Sequence, residues 1–102
     1  MRLDWSDPAV RDLQDIHDYI SRDSEYYASR FVERLLDAVE QLTAFPRLGR
    51  IVPEVRSPGT RELLFSSYRI VYRLERGRVL ILAVVHGARD WSQKEQKPWD
   101  VE

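Results

Sequence analysis

Along the chain, the spacing of apolar side chains changes three times. Met1, Leu3 and Trp5 alternate with Arg2 and Asp4, a two-residue period that predicts a short strand. From Val10 the period lengthens. Val10, Leu13, Ile16 and Ile20 recur at helical spacing, with Arg11, Asp12, Asp15 and Asp18 on the other side. Asp7 before Pro8 predicts the helix start, an N-cap followed by proline in the first turn. Arg11–Asp15 and Asp18–Arg22 stand in i,i+4 register, so the aspartates read as a solvated helix face rather than a metal site. Ser21 to Ser24 breaks the helix and Ser24 caps a second. Ala28, Phe31, Leu35, Ala38, Leu42 and Phe45 then step up to Pro46, which stops it. This narrow stripe predicts an antiparallel helical hairpin.

Pro46, Gly49, Pro53, Pro58 and Gly59 mark an irregular connection. The two-residue period then returns. Arg61 to Phe65 is a short strand, Ser66-Ser67 a turn, and Tyr68 to Leu74 an alternating strand. Arg76-Gly77 is a hairpin turn, and Val79 to Val85 is apolar throughout. A strand apolar on both faces belongs inside a sheet. One neighbour is Tyr68–Leu74, and the N-terminal strand supplies the other. The predicted fold class is therefore α+β, in the order β-α-α-β-β-β. An antiparallel sheet, ordered first, last, third, second strand, carries the helical hairpin on one face. The Arg61–Phe65 strand is its free edge.

A two-residue turn at Arg76-Gly77 sets the register. Glu75 pairs with Arg78, Arg73 with Leu80, Val71 with Leu82, and Arg69 with Val84. Tyr68, Ile70, Tyr72 and Leu74 then lie under the helices with Val79, Ile81, Ala83 and Val85. The opposite face presents Arg69, Val71 and Arg73 beside Leu80, Leu82, Val84 and His86. That face is expected to be a binding surface, or to be covered by the chain's own tail.

Composition narrows the chemistry. There is no cysteine, which excludes disulfides, zinc-thiolate sites and thiol nucleophiles. The longest apolar run falls far short of the about 20 residues of a membrane-spanning helix, and the N-terminus lacks the apolar block of a signal peptide. A cytoplasmic protein without membrane association is expected. The net charge of −1 conceals an asymmetry: residues 1–46 carry 5 basic and 10 acidic side chains, and residues 47–89 carry 9 and 3, all nine of them Arg. Such a block suits an anionic partner or a solvated sheet face.

With these elements in place, the chain resembles toxins of the RelE/ParE superfamily, from bacterial type II toxin–antitoxin modules. The resemblance rests on Trp5-Ser6, Ala9, Asp12-Leu13, Ile16 and Tyr19-Ile20, then Pro46, Gly49 and Arg61-Glu62-Leu63. Tyr68-Arg69-Ile70-Val71-Tyr72-Arg73 and Val79 through His86-Gly87 complete it. It covers residues 1 to about 91 and implies one toxin domain, 1–91, with a C-terminal tail, 92–102. It also implies a cognate antitoxin, a hetero-oligomer with that antitoxin, and no cofactor or metal.

The superfamily has two activities. RelE-like members cut messenger RNA on the ribosome; ParE-like members poison DNA gyrase by binding. Cutting RNA through the ribose 2′-hydroxyl needs a base, an acid and cations for the phosphorane charge. His86 could move one proton, and Arg69 and Arg73 could hold charge. A second proton-transfer group is missing from the predicted face, and the first lysine is Lys94. The ParE-like reading is favoured: a gyrase inhibitor that is not an enzyme. A ribosome-dependent mRNA endonuclease and a non-toxic antitoxin-binding module are the alternatives. Candidate target- or antitoxin-binding residues are Arg61, Arg69, Arg73, His86, Arg89 and Trp91. If the protein is a nuclease, the catalytic residues would be His86, Arg69 and Arg73.

Overall fold

The computed structural model describes residues 1–101. Strand β1 (Arg2–Trp5) leads into helix α1 (Asp7–Ser21) and helix α2 (Glu25–Glu40), followed by a 3₁₀ turn at Gln41–Thr43. Strands β2 (Arg50–Ile51), β3 (Thr60–Phe65), β4 (Tyr68–Glu75) and β5 (Arg78–His86) complete the chain's regular structure. They form one sheet in the order β1-β5-β4-β3-β2. The predicted order of the four main strands is present. The two-residue β2, set in the irregular connection, adds a fifth and covers Arg61 and Glu62 of the expected free edge. The sheet is mixed, because β1 runs parallel to β5 while the other pairs are antiparallel.

Local chemistry accounts for the helix ends. The N-cap of α1 is Ser6, one residue before the expected Asp7. Its hydroxyl accepts the Ala9 N–H at 3.2 Å and donates to the Leu82 carbonyl at 3.0 Å. Asp7 opens the helix instead, where its charge meets the positive end of the helix dipole. Ser24 caps α2 as expected, accepting the Tyr27 N–H. The helix gives way to 3₁₀ geometry before Phe45, and Phe45 is exposed rather than in the hairpin seam. Val10 is also exposed.

The helices cover one sheet face. Ala9, Ile16, Leu35, Val39 and Leu42 pack on Ile70, Tyr72, Val79, Ile81 and Val84. The other face has a smaller apolar cluster, Val52, Val71, Leu80 and Leu82, with Val55, Trp99 and Val101 packed against it.

The β4–β5 register follows the predicted pairing from Glu75↔Arg78 to Tyr72↔Ile81 and then slips by one, so that Val71 faces Ala83 and Arg69 faces Val85. Leu82 is the extra residue of a β-bulge. Beyond it the parity of β5 inverts: Val84 turns under the helices, and His86 lies opposite Tyr68 on the helical side. The expectation that His86 shares a face with Arg69 and Arg73 is therefore corrected. The bulge is tied to α1 on both sides, through the Ser6 hydroxyl on the Leu82 carbonyl and the Asp12 carboxylate on the Val84 N–H, 2.9 Å. Backbone groups freed by the bulge thus keep partners.

Candidate functional site

The second sheet face gathers two of the four arginines that the sequence singles out. Arg69 and Arg73 point to it from β4, and Glu62 points to it from β3. The connection between β2 and β3 covers one side through Val52 and Val55, and the tail covers the other through Trp99 and Val101. The expected apolar floor is thus roofed by irregular chain.

Arg69 is buried, with 7% of its surface exposed, and Glu62 has none exposed. The Arg69 guanidinium donates Nε–H to Glu62 Oε1 at 2.7 Å and a bidentate pair of bonds to Glu54 at 2.8 and 2.9 Å. Arg50 donates to the other Glu62 oxygen at 2.6 Å. A buried charge is tolerated when its hydrogen-bonding capacity is met in this way. Bonds from Arg69 hold the Glu54 carboxyl below its ordinary range, and bonds to Glu54 raise the Arg69 guanidinium. The Trp99 ring lies 6.0 Å from the same guanidinium.

Arg73 serves the tail. Its Nε donates to Glu75 at 2.9 Å and its Nη1 to the Val101 carbonyl at 2.7 Å. Arg61 is on the other parity, opposite Tyr72, and donates to the carbonyls of Pro58 and Gly49 at 3.0 and 2.9 Å. It pins the connection before β3. Beside it Gly49 donates its N–H to the Tyr72 hydroxyl at 2.9 Å, and that hydroxyl donates to the Pro46 carbonyl at 2.8 Å. Burial raises the Tyr72 phenol above its usual range.

Arg89 and Trp91 come together at the far end of this face. The guanidinium carbon lies 4.5 Å from the centroid of the buried indole, whose Nε1 has no hydrogen-bond partner. A cavity of about 340 Å³ lies between them, the start of α1 and the tail; Pro8, Arg11, Asp12 and Lys97 also line it.

The structure thus joins Arg69 and Arg73 in one layer, sets Arg89 with Trp91 apart from them, and removes His86 and Arg61. The sequence names Glu62 only within the Arg61-Glu62-Leu63 match and points to neither Glu54 nor Arg50 as a site residue. Glu62 has the parity of Arg69 and Arg73 across β3–β4, a signal readable in the sequence; Glu54 lies in irregular chain and has none. Chemically, the arginines of this face hold carboxylates and carbonyls of their own chain. The imidazole that could move a proton is across the sheet. Among the described residues no three His, Asp or Glu side chains are placed to hold a metal ion, and no helix is long and apolar enough to cross a membrane.

Comparison with known proteins agrees with this architecture. The P. aeruginosa chromosomal ParDE toxin–antitoxin system contains a chain that superposes with a TM-score of 0.71 at 25% identity, over 84% of this chain and 95% of that one. The RelBE2 toxin–antitoxin complex of Mycobacterium tuberculosis shares the fold, with a TM-score of 0.61 at 23% identity, over 83% and 95% of the two chains. In sequence, Y4kP of Sinorhizobium fredii is 38% identical over 90% of this chain and 94% of its own length. Toxin RelE2 of Caulobacter vibrioides is 35% identical over 83% and 93%. Residues 3–91 match the family model described as the ParE toxin of the type II toxin–antitoxin system parDE, and the chain belongs to that family.

Proposed function

We propose that the protein inhibits DNA gyrase by binding, as a ParE-type toxin, and that a cognate antitoxin neutralises it in a hetero-oligomer. The observation that carries this reading is the engagement of the arginines. Arg69 is bonded to Glu62 and Glu54, and Arg73 to Glu75 and Val101, while His86 lies on the opposite face. A nuclease reading needs those cations and a proton-transfer group around one phosphate. Membership of the ParE family supports the same choice. Action on gyrase places the protein in the cytoplasm.

The antitoxin would meet two features. Leu63 to Phe65 of β3 lies beyond the short β2 and offers unpaired strand edge, with Leu64 exposed. The exposed Arg89 guanidinium over Trp91 offers charge for an acidic segment. In this reading residues 1–91 are the toxin domain. The tail, 92–102, is part of the target-binding surface, and Glu102 lies outside the described residues.

The test pairs two assays on the purified protein. Inhibition of gyrase supercoiling, with ribosome-bound transcripts left intact, is the expected outcome. Severed transcripts with unaffected gyrase would establish the RelE-like reading, which the similarity to toxin RelE2 keeps in view. Inactivity in both, with harmless expression in cells, would establish a non-toxic antitoxin-binding module.

A further inference from the structure

The α1 side of the β4–β5 end holds an open cleft of about 520 Å³, lined by Asp15, Ile16 and Tyr19 of α1 and by Ser67, Tyr68 and His86. Nothing in the gyrase reading uses it. We propose that this cleft binds the cationic side chain of an arginine or lysine presented by a partner protein.

Three aromatic rings and one carboxylate line the cleft. Tyr68 and His86 meet edge to face at 5.6 Å, and Phe31 braces Tyr68 from behind at 5.7 Å, so that wall is fixed. The Ala88 N–H donates to His86 Nδ1 at 3.2 Å, which helps to hold the ring in place. Tyr19 is 66% exposed and forms the opposite wall. Its ring already attracts a guanidinium: the Arg22 guanidinium carbon stands 5.9 Å from its centroid. Asp15 forms no ion pair among the described residues, although Arg11 is one turn away in sequence.

Charge selects the occupant. Electron-rich ring faces beside an unpaired carboxylate attract a cation. Asp18 follows one turn along α1, and residues 1–46 carry 5 basic against 10 acidic side chains. A nucleic-acid backbone would be repelled here. An uncharged apolar anchor would gain nothing from Asp15. A guanidinium can lie flat on a ring while its edge reaches a carboxylate, and an ammonium can do the same less directionally.

The probe is N-acetyl-arginine amide, titrated into the full chain at millimolar concentration, with the ring resonances of Tyr19, Tyr68 and His86 followed by NMR. N-acetyl-citrulline amide is the neutral isostere. We expect arginine to bind about three- to fivefold more tightly than citrulline, the worth of one exposed cation–π contact, and Asp15→Asn to weaken arginine binding while leaving citrulline binding unchanged. Tyr19→Ala should weaken arginine binding, while Tyr26→Ala on α2 should not. Equal shifts with arginine and citrulline would overturn the proposal, as would shifts confined to other residues or stronger shifts with uridine monophosphate. The comparison of the two amides on the unaltered chain decides the matter even if a variant fails to fold.

Discussion

Asp12 of α1 accepts the main-chain N–H of Val84 at 2.9 Å and so bonds the first helix to β5 just beyond its bulge. Burial raises the Asp12 carboxyl above its ordinary range, and the Val84 bond opposes that shift. Folding therefore favours the protonated form more than the unfolded chain does. Its contribution to stability is complete below the unfolded value of about 3.9 and fades as pH rises through the higher folded value. Asp12→Asn, always neutral and still an acceptor, is expected to remove this slope. Asp12→Ala leaves the Val84 N–H unpaired and should cost about 1–3 kcal/mol. Urea unfolding across the acid range checks both.

The buried pair of Glu62 and Arg69 leads to a double-mutant test. Removing either partner leaves the other with a single ion-pair partner, Glu54 for Arg69 and Arg50 for Glu62, and Glu62→Leu or Arg69→Leu should each cost about 1.5–3 kcal/mol, the worth of a lost hydrogen bond to a charged group. The double replacement should cost less than the sum of the two single changes, because it removes both buried charges together and leaves only the more exposed Glu54 and Arg50 without them. Denaturant midpoints of the four proteins close the cycle. Reversing Arg69 and Arg73 to Glu would act first on folding. Antitoxin binding is better probed through Arg89.

Glu54 behaves in the opposite sense to Asp12. Its hydrogen bonds from Arg69 lower its pKa from the ordinary 4.5. The stability it adds is present above that value and is lost as pH falls through the lower folded one. Glu54→Gln should reduce mid-pH stability and flatten the acid-unfolding curve, as followed by circular dichroism.

Gly49 has no room for a side chain. A Cβ there would lie 2.5 Å from the Glu62 carbonyl oxygen and 2.7 Å from the Tyr72 hydroxyl. Gly49→Ala must displace β3 or break the Tyr72 bonds, and a loss of about 1–3 kcal/mol is expected. Tyr72→Phe removes a hydroxyl that both accepts and donates, with a similar loss. Thermal unfolding of both variants tests this.

Much of the architecture was readable from periodicity. The alternation at Met1–Trp5, the two helical stripes and the Arg76-Gly77 turn each name an element that forms. The sheet order follows from the apolar run Val79–Val85 within β5. The bulge was not legible, because Leu80, Ile81, Leu82, Ala83 and Val84 are all apolar and no polar residue marks which side each one faces. The side on which His86 lies turns on that one residue. Alternation along β4 puts Arg69 on the face it occupies, but its pairing with Glu54 depends on the path of the irregular segment before β3, which no local pattern specifies.

The extra residue at Leu82 decides to which side of the sheet whatever follows it is delivered. A relative lacking one residue there would carry the same strand-end histidine to the arginine side of its sheet, with an almost unchanged amino-acid string. Assignments copied by alignment across this point can therefore transfer the letter while losing the chemistry.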